Sequence, residues 1–227
     1  MPAQGPRATA FNVPGPVRLK YDVKGEAHSL SYNAQAELLW RHDDTSYEAK
    51  LDVSAFLIGS RRQTSVGRIT TEGLAPTRFS DKSRSELAAH FERPASGVGG
   101  KVIFSANTPD APLLAGAQDR LSVFLQLGAM LAGEPDKYPP GTTISLQIVG
   151  PRDADTWLFT VGEAEKLSLP AGELATFKLT RNPRREFDSK VELWLAPTMG
   201  YVPVRIRLIQ PNGDQVDQQL RSSESLE

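Results

Sequence analysis

The chain of 227 residues contains no cysteine. Disulfides, thiolate catalysis and thiolate metal ligation are therefore excluded. Histidine is scarce. His28, His42 and His90 lie far apart in sequence, and none sits in the His-x-x-x-His spacing that sets two imidazoles on one metal. No apolar run approaches the roughly 20 residues of a membrane-spanning helix. An excess of one charge is also missing. The 26 basic and 27 acidic residues leave a net charge of −1, which excludes the electrostatic footprint of a nucleic-acid binder. A Gly-x-Ser-x-Gly nucleophile elbow is absent. Gly97–Val98–Gly99–Gly100 precedes a strand and opens no helix, so it reads as a hairpin loop and not as a phosphate cradle. The carboxylate pairs Asp153/Asp155 and Glu163/Glu165 fall in turns. Arg181, Arg184 and Arg185 are balanced by Glu186 and Asp188. No catalytic constellation assembles, and the expectation is a non-enzyme without metal or cofactor.

What is present is alternation. Val191, Leu193 and Leu195 alternate with Lys190, Glu192 and Trp194. After a break at Pro197–Thr198–Met199–Gly200, Val204, Ile206 and Leu208 alternate with Arg205 and Arg207. A period of two places one apolar row on one face of a sheet. Asn212–Gly213 supplies the positive φ angles of a tight hairpin, so Gln215 to Leu220 returns as a third, more polar strand suited to an edge. The same pattern fills the N-terminal half. Val17, Leu19, Tyr21 and Val23 form one row; Leu30 to Trp40 and Tyr47 to Ala55 form two more. His42–Asp43–Asp44–Thr45 reads as the turn between them. Gly59 to Thr71 is polar and reads as an edge-like or curled strand. About a dozen strands at this short, regular spacing predict a barrel or sandwich. Trp194 falls out of phase with its apolar neighbours, so either both faces of that strand are covered or it lines a second surface.

One stretch breaks the pattern. Ala117 to Ala132 predicts a helix near 119–132, with Asp119 as N-cap and Gly133–Glu134–Pro135 as stop. Leu121, Val123, Phe124, Leu125, Leu127, Met130 and Leu131 leave it apolar nearly all round, which predicts burial. Residues 1–16 read as a flexible leader and 17–221 as a single β-rich domain. Residues 222–227 read as a disordered tail, and their final Leu–Glu as a cloning remnant. The expected fold is a strongly curved antiparallel sheet or open β-barrel, with the helix on its concave side. Its outline is similar to the half-barrels of periplasmic lipoprotein carriers.

The segments LPAGE from Leu169, KVELWLAP from Lys190, GYVPVRIR from Gly200 and PNGD from Pro211 resemble a bacterial family. Most of its members are predicted to be exported, and it is known only as a domain of unknown function. The resemblance implies a β-rich fold and a periplasmic or envelope location, and it brings no catalytic residue. Two readings of function follow. In one, Leu121, Phe124, Leu125, Leu131 and Trp194 contact a hydrophobic or lipid-like ligand or lipidated partner, with the helix as a movable lid between Pro109–Pro112 and Pro135–Pro140. In the other, the core is filled, the helix is a permanent plug and the protein is a structural or interaction module.

Overall fold

The computed structural model describes residues 10–27, 30–55, 59–94 and 99–226. His28, residues 97–98 of the glycine-rich loop and the terminal Glu227 lie outside them. In chain order the elements are β1 (Val17–Ala27), β2 (Leu30–His42), β3 (Ser46–Ala55), β4 (Gly59–Thr70), β5 (Gly73–Lys82), β6 (Glu86–Glu92), β7 (Lys101–Phe104), β8 (Ala111–Pro112), β9 (Gln118–Asp119) and α1 (Ser122–Gly133). After the helix come β10 (Thr143–Val149), β11 (Ala154–Leu169), β12 (Gly172–Arg181), β13 (Lys190–Ala196), β14 (Val202–Ile209) and β15 (Gln215–Ser225). The described strands join one open sheet in the order β8-β7-β6-β5-β4-β3-β2-β1-β15-β14-β13-β12-β11-β10-β9.

This order follows from hairpins. Each strand from β1 to β7 pairs antiparallel with the next, as does each from β10 to β14; β1 pairs with β15 to weld the two runs, and β9, across the helix, runs parallel to β10. The final strand is thus central, not an edge. Its polar residues are used: Asp217 takes a two-pronged ion pair from Arg205 on β14. Pairing to β1 extends β15 through Ser225, beyond the last apolar residue of its alternating run, because backbone hydrogen bonds do not require apolar side chains. β4 is likewise interior to the sheet, between β3 and β5. Leu193 and Ile206 face each other on β13 and β14 and are buried, as the alternation requires.

The sheet curls until its ends approach. The Gln147 side chain on β10 stitches this seam, accepting from the Leu114 N–H at 2.9 Å and donating to the Pro112 carbonyl at 2.8 Å. Helix α1 runs inside the curl and packs against β5 and β14. Every residue from Ser122 to Ala129 is buried, and so is Leu131. The helix divides the core in two. Leu121 and Leu125 join a lobe with Leu19, Leu38 and Trp40, whereas Val123, Phe124, Leu127 and Leu131 join Phe159, Leu179, Leu193 and Ile206.

Polar contacts fix the helix along its length. Asp119 Oδ1 accepts from the N–H groups of Leu121 and Ser122, and Ser122 Oγ accepts from the Asp119 N–H at 2.9 Å. Gln126 Oε1 accepts from Leu74 N–H, in the part of β5 that β6 does not reach, and Gln118 Nε2 donates to the Leu74 carbonyl. At the far end, residues 10–16 lie across the molecule: Asn12 N–H donates to Ala129 O, and Trp40 Nε1 donates to Pro14 O. Gly128 lies against the Tyr201 carbonyl so closely that a β-carbon would overlap it. The Tyr201 backbone cannot easily give way. It holds a positive φ of 59°, its N–H donates to Ala196 O, and its ring stacks on Phe177. Gly128→Val is therefore expected to cost about 1–3 kcal/mol or more by overpacking. A urea titration that leaves the midpoint unchanged would remove this close approach from the fold.

Candidate functional site

One end of the curl is closed and the other is hollow. Residues 10–16, the 197–201 turn and Trp40 fill the end at the helix C-terminus. At the other end, beside the helix N-terminus, lies a cavity of about 960 Å³. That is the upper range of small-molecule sites. Hairpin alternation explains its walls. Val23 from β1, Ala34 from β2, Leu51 and Val53 from β3, Val191 from β13, Leu208 from β14 and Val216 from β15 all reach it. Phe124 from the first turn of α1 and Trp157 from β11 also line it.

A collar of charge surrounds this apolar wall, and most of it is paired. Arg61 grips Asp81 with two hydrogen bonds, and Gln63 donates to the same carboxylate. Burial works to raise the Asp81 pKa, but these bonds win and hold it below the ordinary value. Arg120 donates from one guanidinium nitrogen to both oxygens of Asp153, at 2.8 and 2.9 Å. Arg181 lies 4.4 Å from the centre of the Trp157 ring and pairs with Asp188 at 3.3 Å. Burial pushes the Arg181 pKa down, but an arginine stays charged. Phe187, on the connection between β12 and β13, lines the rim and is 84% exposed.

Two polar atoms on the cavity wall are buried without a hydrogen-bond partner among the described residues: Arg120 Nε and Gln218 Oε1. Unpaired buried polar atoms are uncommon in native folds. Neither stood out in the sequence. In the sequence Gln218 reads as one more polar residue of a polar strand, and only the pairing of β15 between β1 and β14 turns it inward.

Of the five residues proposed as ligand contacts, Phe124 lines the cavity. Leu121 and Leu125 are buried in one core lobe and Leu131 in the other. Trp194 is buried on the face of β13 opposite Leu193. Its Nε1 donates to Glu165 on β11, and its ring lies between Lys178 and Arg205, at 4.8 and 4.7 Å. That strand is thus covered on both faces. The two described histidines are not brought together: His42 bonds to the Pro14 carbonyl at the closed end, and His90 is exposed on β6, while His28 lies outside the described residues. Asp43, beside His42, serves the turn by accepting from the N–H and hydroxyl groups of Thr45 and Ser46. These bonds lower its pKa well below the usual carboxylate range. No cluster of metal-ligating side chains occurs among the described residues.

The fold has relatives of known structure. A β-barrel-like protein of the domain of unknown function DUF1849 from Brucella abortus superposes with a TM-score of 0.63, covering 95% of this chain and 100% of that one at 10% identity. At this identity the likeness is one of fold. Two others are similar at a TM-score of 0.40, each covering 96% of this chain and 100% of its own. They are a candidate exported protein with a YmcC-like fold from Bacteroides fragilis, at 11% identity, and a candidate lipoprotein from Parabacteroides distasonis, at 10%. A comparison with curated protein sequences finds no match. The profile of the protein family of unknown function DUF3108 matches residues 19–221, and the chain belongs to that family.

Proposed function

We propose that this protein is a non-catalytic binder of a hydrophobic or lipid-like ligand, held in the cavity beside the helix N-terminus, and that it acts in the bacterial envelope. The observation that carries the reading is the cavity itself: about 960 Å³ of space with apolar walls from both halves of the sheet. A filled-core structural module would have no use for it, since interiors otherwise close-pack. The charged groups at the mouth support binding over catalysis. Asp81, Asp153 and Asp188 are each held by an arginine. The ligand does not require the helix to swing, because the lining includes exposed residues such as Gly59, Arg84 and Phe187 and is open to solvent. The helix serves as a fixed floor.

The test uses a neutral naphthylamine dye whose fluorescence rises in apolar surroundings. Wild-type protein is expected to enhance it with saturation. Ala34→Trp fills the cavity from β2 and is expected to abolish the saturable signal. Leu158→Trp, on the outer face of β11 at 38% exposure, is expected to leave it intact. Equal enhancement by wild type and Ala34→Trp would place the dye elsewhere and sink the proposal.

A further inference from the structure

The cavity wall is not uniformly apolar, and the exception sets what a ligand must carry. Gln218 sits on β15 between Val23 of β1 and Ile206 of β14. It is 5% exposed, and its Oε1 has no hydrogen-bond partner among the described residues. The other interior glutamines have work to do, although Gln118, away from the cavity, also leaves its Oε1 without a partner among the described residues. Gln126 caps Leu74 N–H, Gln118 Nε2 serves the Leu74 carbonyl, Gln147 closes the seam and Gln63 holds Asp81. Gln218 alone among these five shares no such duty, and it faces the cavity beside Val23, Val216 and Leu208.

A leucine or methionine at this position would fill a similar volume without leaving a desolvated carbonyl. A primary amide offers an acceptor and two donors. Its match is a group that both donates and accepts, namely a hydroxyl or an amide. An ionic head group fits poorly at this depth, since no charge opposes it there. Most charges at the mouth are already paired, Arg61 with Asp81, Arg120 with Asp153 and Arg181 with Asp188, and Arg84 there is exposed to solvent.

We infer that the ligand is a neutral amphiphile whose apolar chain bears a hydroxyl or amide group, and that Gln218 reads this group inside the cavity. This rests on the ligand-binding reading above and narrows it to a chemical class. The site discriminates because an acceptor-only ligand leaves Gln218 Oε1 unpaired, whereas a donor satisfies it.

The experiment displaces the bound naphthylamine dye with three probes of matched chain length: decanol, decanamide and decyl methyl ether. The ether can accept a hydrogen bond but cannot donate one. Wild type is expected to prefer the two donors over the ether by about tenfold, the scale of one buried hydrogen bond. Gln218→Leu is expected to bring the three probes within about twofold of one another, each displacement being referred to that variant's own dye affinity. Gln218→Met serves as a second variant, and each is checked for a single cooperative unfolding transition. Dye binding by wild type without preference for the donors overturns this inference alone. So does a preference that survives in both variants. Absence of dye binding by wild type overturns the cavity reading and this inference with it.

Discussion

Leu193→Ala is expected to lower stability by about 2–5 kcal/mol, because the lost transfer energy adds to an uncollapsed cavity. Leu193 is fully buried, faces Leu179 and Ile206 on its two neighbours, and stands on a strand covered on both sides. Leu38→Ala, in the other core lobe, is expected to cost a similar amount. The informative result is the shape of the transition. Helix α1 contributes Leu121 and Leu125 to one lobe and Val123, Phe124, Leu127 and Leu131 to the other. β1 and β15 join the lobes by a long antiparallel ladder. The lobes should therefore unfold together, so each variant shifts one common midpoint measured by tryptophan fluorescence and by circular dichroism. Two separated transitions in Leu193→Ala would show that the helix does not couple the halves.

Much of this architecture is legible in the alternation of side chains. The meander Lys190 to Leu220, the N-terminal rows and the wholly apolar helix each follow from a period that local chemistry sets. Where sequence reasoning stops is pairing between segments distant in the chain. The polar strand Gln215 to Leu220 reads as an edge, because nothing nearby shows that Val17–Ala27, almost 200 positions earlier, will take its open side. The polar run Gly59–Thr70 misleads in the same way: its exposed side chains describe its faces, whereas its place inside the sheet is decided by backbone pairing.

The site is less legible for the same reason. Phe124 is visible as part of an apolar helix, yet its helix neighbours Leu121, Leu125 and Leu131 are equally apolar and are used for packing. Only the position of the helix along the curl separates the residue that meets the cavity from those that fill the core. Gln218 carries no sequence signal at all. It becomes distinctive once the inward direction of Val216 and Leu220 is known and its neighbours are seen to be apolar. From sequence the helix reads as a lid or a plug, with the Pro-rich flanks favouring the lid. In the structure Gln126 on Leu74, Gly128 under Tyr201 and Asn12 on Ala129 hold it from three directions.

Asp119→Asn is expected to leave the protein as stable as wild type near pH 4 and to make it more stable near pH 8. Asp119 is fully buried where β9 gives way to the helix. Its carboxylate accepts from Leu121 and Ser122 N–H through one oxygen and from Ser65 Oγ, at 2.5 Å, through the other. Tyr47 OH extends the network from Ser65 at 3.0 Å. Burial nevertheless dominates these bonds and raises the pKa of Asp119 to about 6, against 3.8 for the free group. The folded state thus holds its proton over a pH range in which the unfolded chain has released it. Stability from this group is complete below the unfolded pKa and is lost as pH rises through the folded one. The two units of separation correspond to about 3 kcal/mol. Asparagine keeps the acceptor for the two helix N–H groups and can donate to Ser65, but it has no proton to lose. The difference between wild type and Asp119→Asn cancels the opposing titration of carboxylates such as Asp81 and Asp217, whose pKa values are lowered. Asp119→Ala strands the two N–H groups and the Ser65 hydroxyl, and is expected to cost about 1–3 kcal/mol or more at every pH. Urea midpoints at pH 4, 6 and 8 for the three proteins provide the check. A wild-type and Asp119→Asn difference that stays constant across that range would show that this carboxyl titrates at its ordinary value and that the buried network does not hold its proton.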